Sequence, residues 1–361
     1  MGKVLLTGFP GFLGSELVRR ILARRDGARV LCLVQAKFAE LATLRAAEIE
    51  SADPGFAGRL ELVEGDITEP GLGLEGSGAA RGVTEIFHLA AVYDLQVRRD
   101  VALRINVDGT RHVLALAAAA KSLARFHYVS TCYVSGRHPG IFRESDLEKG
   151  QKFNNFYEET KYLAEIEVRR RQSAGLPVTI YRPGIVVGDS RSGETQKFDG
   201  PYYITRWLLR QPTVAVLPVP FGAERLRVNL VPRDFVVGAL DALSAWKGSA
   251  GVCYQLADPD PPTIDETIRL MGEATGRVIV RAPVPLSFAK AAIDWVPGVE
   301  RVMGIPSNAI DYFAHPTFYD TTNATRDLAA LGIHCPRLAD FFHLLVAFQK
   351  QHPEVSSAAM A

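Results

Sequence analysis

Residues 7–14 have the sequence Thr-Gly-Phe-Pro-Gly-Phe-Leu-Gly and lie between a short apolar run and a helical pattern. Glycines at this TGxxGxxG spacing allow a tight turn, a close approach of the backbone to a pyrophosphate, and close packing of helix on strand. The unpaired amides of the helix N-terminus can then bind phosphate oxygens. No lysine follows Gly14, which argues against the phosphate loop of nucleoside triphosphatases. The segment predicts a dinucleotide-binding turn made of Thr7, Gly8, Gly11, Phe12, Leu13 and Gly14.

Around this turn, short apolar runs alternate with longer helical patterns, as is typical of a parallel sheet covered by helices on both faces. The strands are predicted at residues 3–7, 29–34, 59–63, 85–89, 126–130 and 178–182. The helices are predicted at residues 12–25, 38–50, 101–121 and 156–172. We therefore predict an α/β fold, with a Rossmann doubly wound parallel sheet in residues 1–183.

Beyond residue 183 the sequence changes to helical runs at 203–210, 234–246 and 264–274, with connections at 214–220 and 256–262. We assign residues 184–355 mainly to a smaller, interleaved C-terminal substrate-binding region, and residues 356–361 to a flexible tail. Two later strands, near 228–231 and 252–256, are expected to return to the main sheet.

The composition excludes several classes of function. Lys and Arg total 41 against 40 for Asp and Glu, so the chain lacks the positive field of a nucleic-acid-binding protein. The 4 cysteines are far apart and show neither zinc spacing nor a disulfide framework, so no metal is expected. No apolar stretch approaches the roughly 18 residues of a membrane span. We expect a cytoplasmic protein without a transmembrane segment.

The end of the second predicted strand bears on the choice of cofactor. An acidic side chain there binds the ribose diol of NAD, whereas this strand leads into Gln35 and Lys37. The absence of an acid and the charge of Lys37 favour NADP. Asp66 follows the third strand and, with Ile67, is expected at the adenine. Further cofactor contacts are predicted at Leu89, Ala90, Ala91, Asn106, Val129, Tyr157, Lys161, Pro183, Gly184, Ile185 and Val186.

Tyr157 and Lys161 form a YxxxK pair inside a helical pattern, and this spacing places both on one helical face. A neighbouring cation is expected to lower the pKa of the phenol, which can then exchange a proton with a carbonyl oxygen. A hydroxyl at the end of the fifth strand should hold that oxygen. Adjacent strand residues face opposite ways, and we favour Thr131 over Ser130. Asn106 is expected to hold a water that links Lys161 to solvent, or else to satisfy a polar neighbour.

The order of these motifs resembles that of extended short-chain dehydrogenases/reductases, and most of all that of fatty acyl-CoA reductases. The resemblance is strongest to the amino-terminal reductase module of the bacterial two-module enzymes. Besides the motifs above, the resembling segments are residues 88–94 (HLAAVYD), 141–144 (IFRE), 181–184 (YRPG), 199–203 (DGPYY), 229–237 (NLVPRDFVV) and 315–320 (HPTFYD). The chain differs at Gln35, where the family commonly carries arginine.

The resemblance implies NADPH as cofactor and a passage for a long acyl chain. It also implies reduction of an acyl thioester to an aldehyde, of an aldehyde to an alcohol, or both. The substrate would be acyl-CoA, an acyl carrier protein thioester or a free aldehyde, and a homodimer is left open. Side chains that could line an acyl passage, or simply fill the core, are Tyr202, Tyr203, Trp207, Leu208, Phe288 and Trp295.

Two other functions share these motifs. A sugar-nucleotide epimerase or dehydratase has the same glycine turn and YxxxK pair, but holds NAD tightly and binds a polar diphosphate. A non-catalytic NADP-binding sensor or scaffold needs the turn but not the proton-transfer residues, so the retained Tyr157 and Lys161 argue against it.

Overall fold

The computed structural model describes residues 2–24, 27–76, 78–94, 96–222, 226–285 and 311–356. The strands are β1 (Lys3–Thr7), β2 (Arg29–Val34), β3 (Leu60–Glu64), β4 (Val83–His88), β5 (Arg125–Val129), β6 (Gly140–Phe142), β7 (Val178–Pro183), β8 (Ile185–Val187), β9 (Val214–Pro220), β10 (Leu230–Pro232), β11 (Cys253–Leu256), β12 (Val278–Val284) and β13 (Thr317–Tyr319). A seven-stranded parallel sheet, in the order β11-β7-β5-β4-β1-β2-β3, forms the centre of the fold.

Helices cover both faces of this sheet. The helices of the described residues are α1 (Phe12–Arg24), α2 (Ala39–Ala52), α3 (Gly109–Ala119), α4 (Phe156–Ser173), α5 (Pro201–Leu209), α6 (Arg233–Ala245), α7 (Ile264–Thr275), α8 (Thr322–Ala330) and α9 (Leu338–Gln351). Of these, α5, α7 and α9 pack in the second region and not on this sheet. A short helix, Arg99–Ala102, and a π-helical turn, Leu103–Asp108, lead into α3. No described helix is long and apolar enough to cross a membrane.

Two apolar clusters hold the helices on the sheet. On one face, Leu17 of α1 and Leu240 of α6 pack with Val4 and Leu6 of β1. On the other face, Leu114 of α3 and Ala164 of α4 pack with Leu5, Ile86 and Phe126. The inner strands are buried on both faces because their alternate residues point to opposite faces of the sheet, each covered by helices. The predicted Rossmann sheet is confirmed.

Part of the second region is built differently from the prediction. Residues 214–220, expected to form a connection, are strand β9, which pairs in parallel with β12. Ala215, Leu217 and Val219 alternate inward and are buried, which outweighs the two prolines of this strand. The prolines are tolerated because the pair forms a separate two-stranded sheet that offers an edge.

Of the two later strands that were expected in the main sheet, only one lies there. β11 pairs with β7 and forms the edge of the main sheet. The strand expected near 228–231 is β10, which pairs with β8 outside the main sheet, so the expected return of this strand is wrong. β7 ends just before Gly184, and the next strand, β8, lies outside the main sheet. Because β10 pairs with β8, it lies outside the main sheet too.

A third apolar cluster lies within the second region. It joins α5, α7 and α9 through side chains such as Leu208, Met271 and Phe342, and β9 packs on them. Phe288, Trp295 and residues 357–361 lie outside the described residues. The third cluster supplies one wall of the cleft at the carboxyl end of the sheet.

Candidate functional site

The glycine turn leaves room for a phosphate group at the start of α1. The Gly11 amide donates to the Gly8 carbonyl at 3.0 Å, and Gly8 has φ +96°, a conformation that favours glycine. A Cβ atom at Gly8 would lie 2.9 Å from the Ala90 nitrogen, and one at Gly14 would collide with the Gly8 carbonyl oxygen. Side chains at these positions would therefore fill the concave backbone surface of the turn. The open surface that glycine leaves suits the pyrophosphate of a dinucleotide.

The turn opens into a cleft of about 1170 Å³ at the carboxyl ends of the strands. The predicted cofactor residues that line this cleft are Thr7, Gly8, Gly11, Phe12, Leu13, Gly14, Gln35, Lys37, Asp66, Ile67, Leu89, Ala90, Ala91, Val129, Tyr157, Lys161, Pro183, Gly184, Ile185 and Val186. Asn106 is not among the lining residues. The structure thus brings residues from seven separate segments of the sequence to one cavity.

At the far end of β2, the groups expected at the adenine and ribose form a hydrogen-bonded set. The Gln35 side chain donates from Nε2 to Oδ2 of Asp66 at 2.7 Å, and Oδ1 of Asp66 accepts from the Thr68 amide at 2.8 Å. Lys37 is exposed, and its ammonium lies 4.9 Å from the centroid of the Phe38 ring. An acid therefore lies beside Gln35, although none is present on β2 itself.

Tyr157 and Lys161 lie on the first turns of α4, which Asn155 caps by accepting from the Glu158 amide at 3.0 Å. The Lys161 ammonium donates to the Val129 carbonyl at 2.8 Å and lies 4.6 Å from the centroid of the Tyr128 ring. Thr131 follows β5, and its side chain hydrogen-bonds Tyr157. The phenol, the hydroxyl and the ammonium face the same cleft.

The electrostatics of Tyr157 differ from the expected lowering of its pKa by Lys161. Burial raises the pKa of the Tyr157 phenol above its usual value, the hydrogen bond with Thr131 opposes this, and Glu158 adds to it. Burial also lowers the pKa of the Lys161 ammonium to about 7. Desolvation is the largest influence on the phenol, which is therefore protonated at neutral pH.

The Ser130 hydroxyl contacts Glu165 and not Tyr157, and Asn106 takes the second of the two roles considered for it, that of satisfying polar neighbours. The Ser130 hydroxyl donates to Oε2 of Glu165 at 2.7 Å, so Thr131 is the hydroxyl that meets Tyr157. Asn106 is buried, accepts from the Val92 amide at 2.9 Å and donates to Thr160 at 3.0 Å. The hydrogen-bond partners of its side chain among the described residues therefore lie in the loop after β4 and on α4 at Thr160.

The sequence indicated no role for Tyr93, Lys197 and Asp199, which lie together next to the Tyr157 side chain. The Tyr93 ring contacts the Tyr157 ring edge to face, with centroids 5.0 Å apart. The Lys197 ammonium lies 4.9 Å from the centroid of Tyr93 and pairs with Asp199 at 2.8 Å. Tyr93 and Asp199 lie in segments 88–94 and 199–203. The resemblance of these segments to the family was the signal that could have pointed to both residues.

Beyond Tyr157 the cleft has an apolar wall that only partly matches the expected one. Of the residues considered for an acyl passage, Tyr203 lines the cleft. Tyr202 and Leu208 are buried in the third cluster, and Trp207 donates to the Val216 carbonyl at 3.3 Å. The wall is completed by Val228, Leu230, Thr267 and Met271. Val228 and Leu230 lie near and on β10, which was expected within the main sheet. Thr267 and Met271 lie on α7, which the sequence did not place beside the cleft.

Comparison with known proteins gives consistent matches. Residues 6–240 match the family model described as "Male sterility protein". A linear gramicidin synthase of Brevibacillus parabrevis is 32% identical over 276 residues, which are 73% of this chain and 5% of that protein. Fatty acyl-CoA reductase wat of Drosophila melanogaster is 27% identical over 287 residues, 67% of this chain and 54% of that protein. The chain thus spans only part of these curated relatives.

A solved structure also covers nearly the whole chain. The terminal R domain from the myxalamid PKS-NRPS biosynthetic pathway has a TM-score of 0.81 and 26% identity, and covers 98% of this chain and 91% of that domain. Together with the cleft, these matches define the class: an oxidoreductase with a nicotinamide dinucleotide cofactor. The chain belongs to the male sterility protein family of extended short-chain dehydrogenases/reductases, as the resemblance predicted.

Proposed function

We propose that this protein is an NADPH-dependent reductase of a long-chain acyl thioester, carried on coenzyme A or an acyl carrier protein. Its product is the aldehyde, and the same site can reduce an aldehyde to the alcohol. The observation that carries the proposal is the continuous cleft, which runs from the glycine turn past Tyr157 to the apolar wall of Tyr203, Leu230 and Met271. A polar sugar diphosphate fits this wall poorly, since its hydroxyls would meet few partners there.

The cofactor part of the proposal rests on Lys37 and on the absence of an acid from β2. The Lys37 ammonium is exposed at the cleft and can approach a ribose 2′-phosphate. Asp66 is held by Gln35 and Thr68, which balance part of its charge. The names of the relatives add support for the substrate, because a linear gramicidin synthase and a fatty acyl-CoA reductase are among them.

The chemistry follows from the positions of three side chains. Bound NADPH would supply a hydride to the carbonyl carbon. Thr131 donates a hydrogen bond to the carbonyl oxygen, and that bond strengthens as negative charge develops. Tyr157 passes its phenolic proton to the same oxygen, and the Lys161 ammonium stabilises the phenolate that remains. From a thioester this gives a hemithioacetal, whose C–S bond breaks to release the aldehyde and the thiol.

Residues 184–355 form the substrate-binding part of this proposal. Tyr93, Lys197 and Asp199 lie where the thioester end would enter, and the third cluster lies along the acyl chain. A carrier protein or coenzyme A would stay outside the cleft and present the thioester through its flexible arm. A homodimer is not needed for this site, because the described residues of one chain supply the catalytic set and both walls.

The test follows NADPH oxidation with a long-chain acyl-CoA, the matching acyl carrier protein thioester and the matching aldehyde in parallel, with mass spectrometry of the products. We expect NADPH consumption with at least one thioester and aldehyde among the products. Turnover of the aldehyde alone would restrict the protein to the second step. No NADPH consumption with any of the three, together with tightly bound NAD in the purified protein, would favour the epimerase instead.

A further inference from the structure

A fully buried carboxylate, Glu165, lies one helical turn after Lys161 on α4. It accepts from Arg182 at 2.6 and 3.1 Å, from Arg169 at 3.0 Å and from the Ser130 hydroxyl at 2.7 Å. Burial would raise the pKa of this carboxyl, but the two guanidinium groups and the Ser130 hydroxyl outweigh burial and lower it to about 2. Glu165 is therefore an anion at every physiological pH.

This carboxylate is tied to the end of β5, where the reactive hydroxyl lies. Ser130, which donates to Glu165, is the residue before Thr131, and the carbonyl of Val129 before it accepts from Lys161. Three consecutive residues of the strand end are thus connected to α4, one through each of Lys161, Glu165 and Tyr157. The Glu165 contact fixes the spacing between the strand end and the helix.

The other groups around Lys161 supply little negative charge. His88 is buried, and burial lowers its pKa to about 3, so it is neutral. Burial raises the pKa of the Tyr128 and Tyr157 phenols, which are neutral too. Arg182 carries a positive charge but is paired with Glu165. Burial works against the Lys161 ammonium, and Glu165 opposes that effect of burial.

We infer that Glu165 is a positioning residue that keeps Lys161 charged and holds the strand end carrying Thr131 against the catalytic helix. The consequence for catalysis rests on the proposed function, because it matters only if the Lys161 ammonium acts on the phenol and the cofactor. The electrostatic part can be measured without cofactor or substrate. Removing the anion should favour neutral Lys161, whereas removing a neighbouring cation should favour the ammonium.

The experiment labels the lysine Cε atoms with ¹³C and follows their NMR shifts against pH in the free protein. Lys161→Arg identifies the signal of Lys161. Glu165→Gln should lower the Lys161 midpoint by on the order of one pH unit, since the lost charge is one helical turn away. Arg169→Gln removes a partly exposed cation from the same cluster and should raise the midpoint. Glu167→Gln makes the same charge change on the face of α4 toward α3, where Glu167 pairs with Arg111, and should leave the midpoint unchanged.

Opposite shifts in the Glu165 and Arg169 variants, with none in the Glu167 variant, support the inference. If Glu165→Gln does not fold because Arg182 is left buried and unpaired, the Arg169→Gln result decides. An unchanged midpoint in Arg169→Gln, or equal shifts in all three variants, overturns the inference. Failure of the proposed function would appear separately, as absent NADPH oxidation in the unaltered protein whose Lys161 still responds to these changes.

Discussion

Tyr157 and Lys161 show how burial changes the chemistry of a familiar pair of residues. The pair was expected to give an acidic phenol, but the pKa of the Tyr157 phenol is raised by burial. A proton donor for reduction must hold its proton until the carbonyl oxygen becomes basic, so a neutral phenol suits this direction. The ammonium then contributes most when the phenolate forms. Burial also makes the charge of Lys161 sensitive to pH near neutrality.

Replacing Tyr157 by Phe should lower turnover on the order of a hundredfold or more, because the proton donor is lost while the ring remains. Binding of NADPH should be unchanged, as measured by fluorescence titration. Tyr162→Phe removes a hydroxyl from the same helix outside the cleft lining and is the matched control. Turnover of the Tyr157 variant close to that of the unaltered protein would contradict the assignment.

The pH dependence of kcat/KM for NADPH should report the ionisation of Lys161 in the free enzyme. The pKa of Lys161 is about 7, so the ammonium is present below that pH and is lost above it. We expect kcat/KM to be level in mild acid and to fall as the pH rises through about 7. Lys161→Arg should remove the fall, since arginine remains charged, although its rate will be lower. A level profile up to pH ~9 in the unaltered protein would be inconsistent with this role.

Lys37→Ala tests the cofactor preference. An exposed ammonium near a 2′-phosphate contributes modestly, so affinity for NADPH should fall by about fivefold at low salt and affinity for NADH should stay the same. Lys121→Ala, an exposed lysine outside the cleft lining, should change neither. Equal losses for both dinucleotides would place Lys37 away from the 2′-phosphate.

At the level of single elements, the turn between β1 and α1 is specified almost entirely by its glycines. Gly8 needs its positive φ, and Gly14 packs on the carbonyl of Gly8 with no room for a side chain. The sequence pattern therefore predicted both the turn and its place in the fold. Strand β9 is the opposite case, because its inward residues are apparent only once α5 and α7 are packed beside it.

Gly14→Ala should disturb the turn, since its Cβ would collide with the backbone of Gly8. We expect a loss of stability of roughly 1–3 kcal/mol and weaker dinucleotide binding, measured by urea unfolding and by titration. Gly238→Ala is the control, because this glycine lies inside α6 and its Cβ would meet only the end of the Arg20 side chain at 3.3 Å. That change should be neutral or stabilise the protein by about 0.5–1 kcal/mol. Equal effects at both glycines would argue against a special role for the turn.

At the level of the whole molecule, the cleft forms where the sheet meets the third apolar cluster. One wall comes from the ends of parallel strands, and the other from β10 and α7. Met271 contributes to both the cluster and the cleft, so it couples the packing of the second region to the shape of the cleft, the proposed substrate passage.

Met271→Phe should narrow that passage and lower kcat/KM for long-chain thioesters by about tenfold relative to short-chain ones. NADPH binding should not change, because the other wall is untouched. Met271→Leu keeps the volume nearly constant and serves as the control. An equal loss of kcat/KM for all chain lengths would show that Met271 stabilises the fold and does not shape the passage. Rates with two thioesters are enough for this comparison.

By itself, the sequence determined the Rossmann sheet, the glycine turn and the pairing of Tyr157 with Lys161, because these depend on local spacing and on apolar periodicity. Tertiary structure alone decided that Ser130 turns to Glu165 while Thr131 meets the phenol. It also decided that β10 lies outside the main sheet and that the apolar wall of the cleft includes Met271. These features arise from contacts between residues distant in the chain and from desolvation, neither of which a local pattern contains.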